Sequence, residues 1–305
     1  MNERQLEFTA FVPGQRLDKL LVEHLPDISR AQIQTLIKSG AVLVDGQPAK
    51  PGIKLKGGEQ ILVTLVEQDE ETPITPESID LTVVYEDEVL AVIDKPAGMV
   101  VHPAAGNESG TLVNAILARW PQIAEMNDPD KRMGLVHRLD KGTSGLIVIA
   151  KTSEALQELM RQFQEREVDK TYIALLERTP PTATGRIEAP IARDPKQRKR
   201  MAVQRDGKPA ITEYTVIDDD FRDGQALVEV KLLTGRTHQI RVHMAFIGCP
   251  VVGDTVYGFR KQRIKMKRQF LHAAQLCFTH PITGERLCVE SELPSGLQNI
   301  LSKLR

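Results

Sequence analysis

The stretch HRLDKGTSG, His137 to Gly145, sets one carboxylate, Asp140, between Arg138 and Lys141, immediately ahead of the apolar run LIVIAK. Two later stretches also carry side chains fit for chemistry: KTYIALL offers Tyr172, and LLTGRTHQIRVH offers Arg236, His238, Arg241 and His243. An aspartate that acts as nucleophile or base has to stay ionised in a partly dry pocket, and a guanidinium at salt-bridge distance favours that form and fixes its orientation. Arg241 is the candidate for this partner. Tyr172 brings a flat ring that can stack on a base and a hydroxyl that can hold or pass a proton. Each residue has a plainer reading. Asp140 fits a solvated loop, Tyr172 a strand core, Arg241 an exposed helix face, and His238 and His243 structural hydrogen bonding.

The elements that must position these groups follow from apolar spacing. GLIVIAK has the continuous apolar character of a central strand, and KTYIALL, EYTVI and ALVEVKLL are further strands. Val83 to Tyr85 and Val89 to Ile93 flank an acidic turn, and Lys95-Pro96-Ala97-Gly98 forms another. TLVNAILARW predicts a helix with Leu112, Ala115, Ile116 and Leu117 inward, and TSEALQELMRQFQERE one whose buried stripe is Leu156, Leu159, Met160 and Phe163. A helix begins at THQIRVHMAFIG, just after the turn Thr234-Gly235-Arg236. The class is α+β, with a mixed, mostly antiparallel sheet.

Ahead of this region lies a smaller unit. RLDKLLVEHL puts Leu17, Leu20, Leu21 and Leu25 on one helical face before Pro26 and Asp27 interrupt. Ser29 and Gln32 form a capping box for a second helix with Ile33, Leu36 and Ile37 inward and Gly40 as its stop. Short strands with turns at Asp45-Gly46 and Gly57-Gly58 follow, so the expected order is helix, helix, small sheet. The organisation expected is residues 1–66 as a small domain, 67–80 as an acidic linker and 81–305 as the second domain.

With 305 residues, 41% hydrophobic and 27% charged, the chain has the composition of a soluble globular protein. Its start, MNERQLEFTA, resembles no secretion signal and no apolar run is long enough to span a bilayer, so a cytoplasmic location without membrane contact is expected. Cys249, Cys277 and Cys288 show neither metal-ligand nor disulfide-framework spacing, and packing is their expected role. The net charge of -1 argues against a nucleic-acid partner until its distribution is read. Residues 67–88 hold nine acidic and no basic groups, and the rest of the chain is mildly basic, with concentrations at PKQRKR (Pro195 to Arg200) and RKQRIKMKR (Arg260 to Arg268).

R-L-D-x-x-L followed by S-R-x-x-x-x-x-I-x-x-G-x-V-x-V-D-G, over about residues 14–64, resembles an S4 RNA-binding domain. That resemblance implies phosphate contacts from Arg16, Arg30 and Lys38, with Lys54 and Lys56; a two-helix packing module is the alternative. H-R-L-D-K-x-T-S-G, then K-x-Y-x-A-L, T-G-R-T-H-Q-I-R-V-H and G-D-x-x-Y-G, in that order, resemble the RluA family of pseudouridine synthases. VVHPAAGNESGTLVNAILARWP is similar to the family's ribosomal large-subunit synthase D branch, while Gly142 departs from the acidic residue that members often carry there. The resemblance implies isomerisation of uridine to pseudouridine in structured RNA, most of all 23S ribosomal RNA, by a monomer with no cofactor or metal. It implies Asp140 as the catalytic aspartate, Tyr172 as the ring that stacks on the target base, and Arg241 as the ion-pair partner of Asp140. Arg138 would fill the place that the extruded uridine leaves.

Other classes remain open at this level. A non-catalytic RNA-binding protein of ribosome assembly explains the small domain and the basic runs, and a pseudouridine synthase acting on transfer RNA is a further alternative. A glycoside or nucleoside hydrolase wants a second acidic group, where the motifs around Asp140 offer Arg and Lys.

Overall fold

The computed structural model describes residues 3–305 apart from 26, 27, 29, 51, 67–73, 105, 127, 129, 130, 198, 199 and 265. The expected cap at Ser29, the break at Pro26 and Asp27, and parts of both basic runs therefore lie outside the described residues. The chain divides into two compact units, Met1–Pro73 and Ile74–Arg305.

The first unit comprises β1 (Glu3–Thr9), α1 (Leu17–His24), α2 (Arg30–Lys38), β2 (Val42–Val44), β3 (Gln47–Pro48) and β4 (Gln60–Val66). Its sheet runs β1-β4-β2-β3, all antiparallel. Leu17, Leu20, Leu21 and Leu25 do share one face, buried with Ile33 and Ile37 against Ile61 and Val63. The expected order omitted β1. Its alternation, Leu6 and Phe8 inward between polar neighbours, covers only a few residues at the chain's start. What makes it a strand is the long-range pairing with β4, from Glu3↔Val66 to Thr9↔Gln60. Asp45 and Gly46 both take positive φ, 49° and 76°, as the two-residue turn between β2 and β3 requires.

The second unit holds β5 (Thr82–Glu86), β6 (Leu90–Lys95), α3 (Leu112–Arg119), β7 (Ser144–Ala150), α4 (Ser153–Glu165), β8 (Asp169–Leu176) and β9 (Thr184–Glu188). It continues through β10 (Ile191–Arg193), β11 (Met201–Val203), β12 (Ile211–Asp218), β13 (Ala226–Leu232), α5 (Gln239–Phe246), β14 (Leu271–Thr279), β15 (Arg286–Glu290) and α6 (Ser295–Leu304). The large sheet runs β5-β6-β7-β14-β8-β13-β12-β9, with β15 on β14, and β10 pairs with β11 separately. Only the β7–β14 pairing is parallel, so the sheet is mixed and mostly antiparallel.

Both faces of β6 and β7 are covered, which explains their unbroken apolar runs. Ala91, Ile93, Ile147 and Ile149 join the core that holds α3, and Leu90, Val92, Leu146 and Val148 join the one beneath α4. Of the stripe expected on α4, Leu156 and Leu159 are buried, while Met160 and Phe163 are only half-buried because they line a cavity.

Two expectations need correction. The acidic segment 67–80 does not stay a linker throughout, because residues 74–80 are stitched to the larger unit. Asn114 Nδ2 donates to the Thr75 carbonyl at 2.8 Å, the Glu77 N–H to the Asn114 carbonyl at 2.9 Å, and the Gly110 N–H to the Glu77 carboxylate at 3.0 Å. Charge and proline make the whole stretch read as solvated chain; its first part, 67–73, lies outside the described residues, and within 74–80 Thr75 and Glu77 find fixed partners. The cysteines also differ from the packing role expected. Cys277 and Cys288 stand opposite each other on β14 and β15, with Cα atoms 4.1 Å apart, and form a disulfide, which leaves Cys249 as a buried thiol. Strand register, invisible in their spacing, brings the two sulfurs together.

Candidate active site

The HRLDKGTSG stretch is fixed at both ends. His137 accepts the Val148 N–H through Nε2 and stacks on Phe163, and burial, helped by the charge of Lys170, lowers its pKa to about 3. It is a neutral support. At the other end, Ser144 donates to His272 Nδ1 at 3.0 Å, because His272 Nε2 donates to the Ser291 carbonyl. Gly145 has φ 112°, and a Cβ there would lie 2.2 Å from the Ala273 carbonyl, so the approach of β14 to β7 demands glycine. Gly142, the position that departs from the family pattern, packs where a Cβ would meet the Gln269 amide at 2.5 Å.

Between these anchors the turn presents Asp140 to a cavity of about 530 Å³ that Tyr172, His238 and Arg241 also line. Asp140 is 22% exposed, and its Oδ2 accepts from Arg241 Nη1 at 2.9 Å. Its Oδ1 has no hydrogen-bond partner among the described residues, and His238 Nε2 stands 3.8 Å from it. One oxygen is pinned and the other faces the cavity.

Arg241 is itself clamped. Its Nε and Nη2 donate to the two oxygens of Asp254 at 2.6 and 3.0 Å, and its Cζ lies 5.0 Å from the Tyr257 ring centre. Asp254 also accepts the N–H groups of Val256 and Tyr257. Burial pushes the Asp254 carboxyl up, but Arg241 and those N–H donors outweigh it and hold it below the ordinary carboxylate value. Burial likewise opposes the charge of Arg241, and the two carboxylates more than restore it. The guanidinium is thus a rigid fork that spends one edge on Asp254 and offers one nitrogen to Asp140. G-D-x-x-Y-G is the motif that holds it.

Tyr172 lies in β8 between Val230 of β13 and Ala273 of β14. It is buried but borders the cavity, and burial, with the nearby Asp140 charge, pushes its hydroxyl pKa up. The phenol therefore keeps its proton at neutral pH. Arg138 is exposed at the mouth and donates to Thr237 Oγ1 at 2.8 Å, with Arg132, Arg166 and Arg236 around the same cavity. His243, by contrast, is buried away from it, donating to the Ala189 carbonyl through Nε2 and accepting from Thr212.

Two contributors were passed over in the sequence. In the sequence Asp254 stands out only as the acidic member of the G-D-x-x-Y-G pattern. Lys95 was read as a turn residue; its buried ammonium donates to the carbonyls of Pro96 and Met99 at 2.9 and 3.0 Å. Burial lowers its pKa to about 8, with Arg268 adding to the fall and Asp140 and Asp94 opposing it. The turn it organises bonds the Asp140 loop, Gly98 N–H to the Lys141 carbonyl at 2.7 Å. A lysine that closes a strand of mostly buried residues, next to Asp94, is the signal that marks it.

In the first unit, Arg16 and Arg30 both grip Asp18, which is 0% exposed, at 2.9 and 3.0 Å, and hold its carboxyl well below the usual range. Their side chains remain largely outside, the Arg16 backbone pairs antiparallel with that of Lys54, and Lys38 is exposed in the last turn of α2.

Residues 89–246 match the family described as RNA pseudouridylate synthase. The chain belongs to this family. Residues 15–61 match the S4 domain. The chain is 45% identical over 303 residues to ribosomal large subunit pseudouridine synthase D of Neisseria meningitidis serogroup B, covering 96% of this chain and 79% of that one. It is 49% identical over 292 residues to an uncharacterized RNA pseudouridine synthase of Chloroflexus aurantiacus, covering 96% and 90%. The solved structure of human RNA pseudouridylate synthase domain containing 1 has a TM-score of 0.58 at 27% identity, covering 75% of this chain and 96% of that one. The protein is an RNA pseudouridine synthase with an S4 RNA-binding domain.

Proposed function

We propose that the synthase converts uridines in large-subunit ribosomal RNA, acting as a cytoplasmic monomer with Asp140 as its reactive group. The synthase D relatives support the substrate class, since their name states the ribosomal large subunit. The observation that carries the reading of the site is the asymmetric carboxylate of Asp140, one oxygen held by Arg241 and the other open to the cavity beside Tyr172.

The reaction breaks the N1–C1′ bond, turns the base and joins C5 to C1′; the proton that C5 loses balances the one that N1 gains. A uracil within a stem cannot do this until it leaves the stack. Tyr172 offers its ring to the extruded base, and Arg138 at the mouth fills the vacated place, which together offset part of the unstacking cost. Asp140 Oδ1 is the atom that meets the nucleotide, while Arg241 keeps Oδ2 from rotating into its position. Arg16, Arg30 and Lys38 of the S4 domain hold the RNA backbone away from the modified base.

Tritium release from C5-labelled uridine in ribosomal RNA tests the reaction, and mapping pseudouridine in a strain lacking the protein tests the substrate. Loss of sites from the large-subunit RNA is expected. Loss from transfer RNA alone would move the enzyme to another substrate.

A further inference from the structure

His238 stands where α5 begins, with φ 58° and ψ 20°, a left-handed conformation that few residues other than glycine adopt. This bend swings its imidazole over the Asp140 cavity rather than along the helix. Nδ1 lies 2.7 Å from the Tyr257 hydroxyl, and that hydroxyl accepts the Met201 N–H at 2.8 Å. Tyr257 is buried, and among the described residues its hydroxyl proton has no acceptor other than His238 Nδ1. The hydroxyl therefore donates to Nδ1, which must be bare, and the ring hydrogen sits on Nε2. Burial first, then the charges of Arg241 and Arg138, hold the imidazole pKa below its ordinary value against the pull of Asp140 and Asp254. The ring is neutral at neutral pH.

Nε2 is 3.8 Å from Asp140 Oδ1, beyond hydrogen-bond reach, and meets no acceptor among the described residues. At that separation both the Nε2–H donor and the Oδ1 acceptor are unspent. The molecule thus holds a donor of fixed tautomer beside the one open oxygen of its reactive carboxylate, where the substrate's atoms must arrive.

We propose that His238 is a further catalytic residue, whose Nε2–H donates to a carbonyl oxygen of the extruded uracil and stabilises the charge gathered there as the N1–C1′ bond breaks. This rests on the reading of Asp140 as the reactive group. In that step the bonding pair stays with the base, spread from N1 onto its carbonyl oxygens. The base returns a pair to C1′ through C5, the C5 proton passes to solvent, and N1 takes one up. A preorganised neutral donor lowers the energy of the anionic base without transferring a proton, as donors do at other developing oxyanions.

The test uses the full-length enzyme and one uridine-containing stem-loop, with single-turnover rates and RNA affinity measured separately. His238→Asn tolerates the left-handed backbone but its shorter amide falls back near the Nδ1 position, so the rate should drop about a hundred-fold with affinity unchanged. His238→Gln places an amide N–H near the Nε2 position and should recover most of that loss. Tyr257→Phe keeps the ring on Arg241 but releases Nδ1, so it should slow the step in the same direction by a smaller factor. An Asn variant within three-fold of the parent, or a Gln variant as slow as Asn, would overturn the proposal. A failure of the Asp140 reading looks different, because Asp140→Asn would then match the parent whatever His238 does.

Discussion

Replacing Arg241 by lysine keeps the charge but removes the fork, and the structure sets the consequence. Arg241 makes three charge-assisted hydrogen bonds, two to Asp254 and one to Asp140, from a side chain only 7% exposed. A single ammonium has to choose, and Asp254, fully buried, is the carboxylate that suffers most without a cation. With lysine on Asp254, about two of the three bonds are lost at roughly 1.5–3 kcal/mol each. The N–H groups of Val256 and Tyr257 serve Asp254 in parent and variant alike and cancel in the comparison, leaving a destabilisation of about 3 to 6 kcal/mol. Asp140 then loses the one side-chain hydrogen bond its carboxylate makes among the described residues, and misplacement on the scale of an ångström slows a reaction roughly a hundred-fold. Denaturant unfolding gives the first number and single-turnover conversion at saturating enzyme gives the second. A variant of unchanged stability that works within three-fold of the parent would refute the idea that fork geometry, rather than positive charge, holds Asp140.

The same clamp has a pH signature. Since the folded-state pKa of Asp254 is depressed, its contribution to stability is present above the ordinary carboxylate value and fades as pH falls through the depressed one; Arg241→Lys should shift acid unfolding to higher pH. Tyr172→Phe keeps the stacking face, so RNA affinity should stay within about two-fold while turnover slows; a large loss of affinity instead would contradict the stacking role. Asp18→Asn should weaken RNA binding although it removes a negative charge near a polyanion, because Arg16 and Arg30 lose the carboxylate that orients them. Tighter binding by the Asn variant would show that Coulomb repulsion, not positioning, governs that face. Arg30→Ala should also make the salt dependence of affinity shallower, by somewhat under one unit of slope for each phosphate that its guanidinium neutralises in the parent.

What could be read in the sequence was whatever is local. The helical stripe of Leu17, Leu20, Leu21 and Leu25, the buried run of β7 and the positions of Asp140, Tyr172 and Arg241 all follow from spacing or motif. The Arg241 partnership with Asp140 was expected, and its geometry is a 2.9 Å ion pair. What could not be read depends on chain segments far apart. Arg241 divides its guanidinium between Asp140, 101 residues away, and Asp254. Neither the second carboxylate nor the Tyr257 bond that sets the His238 tautomer has any trace in periodicity. β1 escaped for the same reason, since its pairing with β4 closes the whole first unit. Residues 74–80 show the converse error, a polar composition taken for solvent exposure where the backbone is tied down by Asn114 and Gly110.

That the open oxygen of Asp140 performs the chemistry is tested most directly by Asp140→Asn. The amide matches the carboxylate in shape and can still accept from Arg241, so fold and RNA affinity should change little. In a single-turnover comparison on one uridine-containing stem-loop, the parent should convert its uridine fully and the Asn variant should form no detectable pseudouridine. An Asn variant that turns over within a few-fold of the parent would contradict this role, and Asp140 would then be a loop residue at the edge of chemistry done by other groups.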